Sequence, residues 1–423
     1  MSRRTLWFVA FYIGLHLLVL ARLWRGTDDR IAEGVAVLSV IPIGLTVLHF
    51  LPKLFHALTW LDVWVMAYAL FSVVSGVLYL QPDNPSAVAS YGFGLYHFVL
   101  PVACYFAAKS IPEADHQRLV SALVLLNAFA VGYGLLLHLT RPDHYLVFVQ
   151  QQLAQKGYTE EWQYFARLQS YLGSTTMGYL SAVSIVLMTI AAPRVQRFLP
   201  VLAPLFIVGA ALSMQRGSII GCAVALLYLA FLARGNIALR FTLGIVLAAG
   251  IAYVAVRFRV EAQLYGQLLQ SRATTEMAQG IKDMLSDRGY GPGLAYVRDF
   301  PLGVGLGGTS SGAASAGLAQ RGEVSDANFM RIAADLGLVG LFMFLTVLLA
   351  AALAAWRSRR RAAWTTFLII HAGIMLATNV HDSFYISHSF WLLLAIIDRD
   401  HPGSDFAVAP APAPVVVPKT VFG

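Results

Sequence analysis

The stretch LPVLAPLFIVGAALSMQRGSIIGCAVALLYLAFLARG, residues 199–235, decides the fold. Two apolar runs, 199–215 and 217–233, meet with almost no polar loop, and Arg216 stands between them. A bilayer core takes about 20 apolar residues per helix, so this pair reads as a membrane hairpin. Working outward, similar runs lie at roughly 5–24, 32–51, 58–80, 91–109, 118–140 and 174–192 on one side. On the other they lie at 241–257, 328–356, 363–380 and 384–398. The expected fold is therefore all-α: a polytopic integral membrane protein with about 12 transmembrane helices. A single helical domain covers residues 1–400, with a large external loop, 257–329, between the ninth and tenth spans.

Composition agrees. Of 423 residues, 58% are hydrophobic and only 12% are charged, where a soluble domain carries about 25% charged residues. The mean hydropathy is +0.67. A soluble enzyme with one anchor is excluded. The net charge of +8 reports cytoplasmic loops rather than nucleic-acid binding. The two cysteines, Cys104 and Cys222, lie inside apolar runs, so neither a disulfide framework nor a cysteine metal site is expected. The opening MSRRTLWFVAFYIGLHLLVLARLW lacks a small-residue cleavage site and reads as a retained first helix.

Orientation follows from Lys and Arg in short loops. With the N-terminus inside, the cytoplasmic side collects Arg3, Arg4, Lys53, Lys109, Arg118, Arg194, Arg197, Arg234, Arg240 and the run Arg357, Arg359, Arg360, Arg361. The first external loop, RLWRGTDDR, breaks the pattern, and Asp28 and Asp29 offset it only in part. An even number of spans puts the C-terminus inside, where the Pro/Ala-rich tail 401–423 reads as disordered. The external side then holds 81–90, 141–173 and 257–329. Mixed polarity at helical spacing in 141–173 predicts a helix at the membrane surface, with Tyr145, Trp162, Tyr164 and Tyr171 at headgroup level.

The large loop divides into parts. Residues 259–286 read as helix, and a short helix fits around Leu294–Asp299. The run PLGVGLGGTSSGAASAG, 301–317, reads as turns; no Gly-Lys-Ser/Thr follows, so it is not a phosphate loop. SDANFMRIAADLGLVGLF, 325–342, opens a helix, with Ser325 or Asp326 as the expected N-cap.

Several residues stand out as candidates for chemistry. An arginine in so tight a hairpin as that of Arg216 is costly unless it is paired or faces a wet cavity; snorkelling to headgroups is the plain alternative. Arg288 and Arg298 add external charge, each beside an aspartate that offers a local ion pair. Arg331 and Asp335, four apart, should meet on one helix face as a structural pair. Asp326, at the mouth of the tenth span, is the candidate base: near arginines it stays ionised and can take a proton from a hydroxyl. Capping alone, worth about 1 kcal/mol, would also account for it. His381 and His388, seven apart, would share a face of one continuous helix, but no histidine cluster has metal-ligand spacing. No catalytic metal and no cofactor are expected.

Four motifs together resemble the superfamily of O-antigen ligases and O-antigen polymerases, bacterial envelope glycosyltransferases. They are RLQSYLGSTTMGYL (167–180), SMQRGSIIG (213–221), SDRGYGPGLAYVRDFPLGVGLGG (286–308) and SDANFMRIAADLGLVGLFMFL (325–345). The resemblance implies a membrane enzyme of the bacterial inner membrane with its active site on the periplasmic side. Its donor would be a glycan on undecaprenyl pyrophosphate, transferred to a sugar hydroxyl with inversion and without metal or nucleotide sugar. Arg216 and Arg288 match the arginines that grip the pyrophosphate. Arg167, Arg298, Asn328 and Arg331 fall in the motifs as substrate-binding candidates. Implied partners are the lipid-linked glycan, an acceptor glycolipid, membrane lipids and a chain-length regulator, with no nucleic acid.

One departure matters. Counting back from Gly337, the family's catalytic histidine falls on Asp326 and its asparagine on Ala327, with Asn328 adjacent. This shifts weight from a ligase acting on lipid A-core toward a repeat-unit polymerase. A ligase or protein O-oligosaccharyltransferase is the runner-up. The rival of another class is a lipid-linked glycan transporter, which should show internal repeats and midplane charges; neither is evident in the sequence.

Overall fold

The computed structural model describes residues 1–25, 58–78, 83–155, 168, 171–213, 215–232, 290–309, 327–378, 380 and 383–400. Of the structure described, 85% is helix and none is strand. The helices are α1 (Arg3–Arg25), α2 (Trp60–Leu78), α3 (Pro85–Gly94), α4 (Leu100–Lys109), α5 (Glu113–Thr140), α6 (Asp143–Gln155), α7 (Ser174–Ile190), α8 (Leu199–Leu212), α9 (Arg216–Leu232), α10 (Tyr290–Asp299), α11 (Asn328–Arg357), α12 (Arg361–Ala377) and α13 (Phe384–Arg399). One widened turn, Leu95–Val99, joins α3 to α4 without interrupting the rod. The expected spans 32–51 and 241–257, the helix 259–286 and the tail 401–423 lie outside the described residues.

Among the described residues, four helices are long and apolar enough to cross a membrane: Trp60–Leu78, Ala87–Lys109, Glu113–Thr140 and Asn328–Arg357. Their outward faces are as apolar as their inward ones. Along α11 the exposed stripe is Leu338, Phe342, Leu345, Leu349, Leu353 and Trp356, while Phe344, Val347, Ala351 and Ala355 are buried. A helix that is apolar all round belongs in a core or in lipid; of the outer stripe, Phe342 meets the edge of Trp64 and Trp356 lies beneath Arg361, yet every residue of it stays exposed.

Local sequence sets the ends of the helices. α5 starts after Pro112, with Glu113 and Asp115 in its first turn, where acids suit the helix dipole. It stops on Arg141, whose φ of 45° is left-handed, and Pro142 follows. Pro85 opens α3 at the first helical position, so the external loop expected over 81–90 is shorter than its polar composition suggests. α6 bears out a helix inside 141–173. Tyr145 and Tyr171, however, are both 2% exposed and are not a headgroup belt.

α7 is the centre of the bundle. It packs against α5, α8, α9 and α12, and Thr175 and Thr189 are its only residues that are not buried. Its Gly178 lets the chain at Ser213 and Ser218 approach so closely that an added Cβ would lie 2.5 Å from either hydroxyl oxygen. Small residues that admit a neighbouring backbone are a usual feature of packed membrane helices.

Contacts sort the turns into two poles. At one, Ser2 and Thr5 bond Asp115, and Arg399 donates to the carbonyls of Lys109 and Ile111 at 2.6 and 2.8 Å. There Arg360 also lies 3.7 Å from Asp400. All these belong to the segments expected to face one side. The other pole gathers the starts of α7, α9 and α13, the segment 301–309 and the end of α12, which the sequence places together on the opposite side.

Candidate functional site

The second pole is built from helix beginnings. α7 starts after Gly173, and α9 starts at Arg216. The Gln215 side chain donates through Nε2 to Ser174 Oγ at 3.4 Å, and the Leu168 N–H donates to the Leu212 carbonyl at 2.7 Å. α13 starts after Ser383, whose hydroxyl is 2.9 Å from that of Thr176. α10 lies over the end of α12 and the start of α11. Tyr290 donates its hydroxyl to the Leu376 carbonyl at 3.0 Å, and a Cβ on Gly293 would meet Met330 at 2.8 Å. Burial raises the pKa of the Tyr290 phenol above its ordinary value.

The widened turn Leu95–Val99 joins the same pole. Tyr96 stacks on Phe384 with ring centroids 4.4 Å apart, and the Arg331 guanidinium lies 5.3 Å from the centre of the Phe98 ring. Such single-turn widenings recur at functional sites.

α11 is broken near its start. Gly337 has φ 72° and ψ −176° inside an otherwise continuous 30-residue helix. At 1.5 Å per residue, the part after the break alone crosses about 30 Å, a bilayer core. The part before it, Asn328–Leu336, belongs to the pole. There Asn328 and Asp335 are fully buried and Arg331 is 1% exposed. Arg331 Nε is 3.9 Å from Asp335 Oδ2, within ion-pair range but too long for a hydrogen bond.

Each expected site residue has its place. Arg216 opens α9, in the hairpin where the sequence puts it, though its side chain lies outside the described residues. Asn328 and Arg331 are brought together in the first turns of α11. Arg298 is exposed at the end of α10. Arg167, Arg288, Asp326 and His381 lie outside the described residues. The N-cap of α11 is Ala327, with no side-chain cap, which corrects the expectation of Ser325 or Asp326 in that role. The short helix expected at Leu294–Asp299 is present and begins four residues earlier, at Tyr290. His388 lies in α13, which begins at Phe384, and the face it is expected to share with His381 reaches outside the described residues.

Polar groups inside the bundle were not singled out from sequence. Tyr385 donates to Asn127 Oδ1 at 3.0 Å, and Asn127 donates to Ser184 Oγ at 2.9 Å. His16 Nδ1 is 2.6 Å from the Tyr171 hydroxyl, and His371 Nδ1 is 2.8 Å from that of Tyr179. A polar residue in a span is visible as such, but its partner, 155 or more residues away for each of these tyrosine–histidine pairs, is not.

Among the described residues, no three His, Cys, Asp or Glu side chains gather where a metal ion would sit. The pole offers something else. The starts of α7, α9, α11 and α13 carry backbone N–H groups without helical partners and the positive ends of four dipoles. Arg216 and Arg331 stand in the first turns of two of these helices. Neither a family model nor a curated protein matches the chain.

Proposed function

We propose that the chain is a polysaccharide polymerase of the bacterial cell envelope. On this reading it moves a glycan from undecaprenyl pyrophosphate to a sugar hydroxyl of the next lipid-linked repeat, at the periplasmic face of the inner membrane. The observation that carries the reading is the placement of Arg216 and Arg331 at helix beginnings. A cation there works against the helix dipole, so two such arginines, with four helix starts around them, suit a ligand of high negative charge. A diphosphate leaving group is one, and helix N-termini are ready anion sites.

The chemistry balances without a metal. The bond from the anomeric carbon to the diphosphate oxygen breaks, and the acceptor oxygen bonds to that carbon. The hydroxyl proton goes to a base, for which Asp326 is the candidate, and undecaprenyl pyrophosphate leaves. Arginines stabilise the charge that grows on the leaving oxygen, with geometry that suits guanidinium better than ammonium.

The glycolipid profile of a deletion strain tests this. A single repeat on core without polymer is the polymerase outcome. Polymer retained on the carrier, with bare core, would mean a ligase instead. The break at Gly337 favours a second reading, a lipid-linked glycan transporter, since broken helices line transport sites. Purified protein that lengthens a lipid-linked repeat in detergent, where there is nothing to transport across, excludes that reading.

A further inference from the structure

The segment Pro301–Thr309 threads into the break of α11. Val304 and Gly305 donate their N–H groups to the carbonyls of Ala334 and Asp335, each at 3.0 Å, and the Leu338 N–H donates to the Pro301 carbonyl at 2.9 Å. Backbone groups that the break withdraws from the helical ladder are thus taken up by this strap. The strap ends on Thr309, 1% exposed, whose amide and hydroxyl both donate to Asp335 Oδ1, at 2.8 and 2.6 Å. The other carboxylate oxygen faces Arg331 Nε at 3.9 Å.

Holding Thr309 requires only an acceptor, which a neutral amide would supply. A charged carboxylate removed from water is costly, and what sits one turn away is a guanidinium equally removed from water. At 3.9 Å the carboxylate acts on that guanidinium by charge and not through a bidentate fork. The Phe98 ring, 5.3 Å away, also lies against it. We propose that Asp335 is a positioning residue: tethered by Thr309, its charge sets the guanidinium of Arg331 for a polyprenyl diphosphate, so that the strap 301–309 tunes the anion site. This rests on the diphosphate reading above.

The test uses the full chain in lipid nanodiscs, with farnesyl diphosphate as the probe and its Kd measured by calorimetry. Wild-type protein should bind. Asp335→Asn should weaken binding about tenfold, equivalent to ~1.4 kcal/mol, and Thr309→Val should weaken it by less, with Thr309→Ser restoring it. The deciding measurement is a double-mutant cycle: in an Arg331→Ala background, Asp335→Asn should have no further effect. Equal losses with and without Arg331 would overturn the positioning role and leave the diphosphate reading standing. No binding by folded wild-type protein would remove the diphosphate reading itself, and this role with it. If Asp335→Asn fails to fold, the Thr309→Val and Thr309→Ser pair runs the same cycle against Arg331→Ala, and a Thr309→Val loss that persists without Arg331 overturns the role.

Discussion

The Lys109 ammonium lies 2.6 and 2.7 Å from the two carboxylate oxygens of Asp62. It also pairs with Asp398, so a single cation joins the start of α2, the end of α4 and the end of α13. Tyr105 and Thr59 complete the shell: Tyr105 donates to Asp62 at 2.7 Å and Thr59 to Asp398 at 2.9 Å. Lys109→Met should leave two carboxylates buried together without a cation. Breaking a buried pair from one side costs about 3–5 kcal/mol. Thermal unfolding in detergent should show a large loss for Lys109→Met and a smaller one for Lys109→Met with Asp62→Asn and Asp398→Asn. Equal losses would mean that the charges are not what matters.

Gly337 gives a backbone prediction. A Cβ there would lie 2.4 Å from the Leu302 carbonyl carbon, on a residue with φ 72°. Gly337→Ala should strain the break and expel the strap, costing at least the ~1–3 kcal/mol of a left-handed non-glycine residue. Gly373, in the interior of α12, has nothing within 4 Å of its would-be Cβ, and Gly373→Ala should be neutral or stabilising by about 0.5–1 kcal/mol. The melting temperature should fall for Gly337→Ala and hold or rise for Gly373→Ala. A mild effect at Gly337 would argue against a tightly packed strap.

How much of this was legible in the sequence depends on which physics each feature uses. Spans announce themselves by composition, so α2, α5 and α11 lie where the apolar runs place them. The pairing of poles was legible too, because charge asymmetry sorts the loops. What failed to register was geometry set by one residue. The pattern LGLVG reads as continuous helix, and only the conformation of Gly337 shows that the helix breaks and admits Pro301–Thr309. Asp335 illustrates the same limit. Its spacing from Arg331 predicted an ion pair, and the pair exists, but the bonds from Thr309 join residues 26 apart in sequence and no local pattern encodes them. The cap expected at Ser325 or Asp326 is instead Ala327 for a related reason: capping preference is a weak bias beside the fit of Asn328 and Arg331 in the interior.

Inside the bundle, the Tyr385 hydroxyl donates to a buried carboxamide, Asn127, that is itself bound to Ser184. Tyr385→Phe leaves the Asn127 oxygen without that donor, and an unsatisfied buried acceptor costs about 1–3 kcal/mol. Tyr385→Phe combined with Asn127→Leu should cost less than the sum of the two single changes. Additive losses in detergent melts would mean that the two side chains act separately.

The proposed reaction is tested at Arg216 and Asp326. If the helix-start arginines hold a diphosphate, Arg216→Ala should abolish long glycan while the protein still accumulates in the membrane, and Arg216→Lys should recover little, because an ammonium cannot reproduce a planar fork. Arg288→Ala should behave like Arg216→Ala. Asp326 separates base from bystander. A base requires a group that accepts a proton, so Asp326→Asn should lose most chain extension while Asp326→His retains more of it. General-base removal typically costs about 10²–10⁴-fold in rate, which a glycan ladder on a gel resolves easily. Normal ladders in Asp326→Asn would assign the proton to another acceptor, and normal ladders in both arginine variants would remove the diphosphate from this pole.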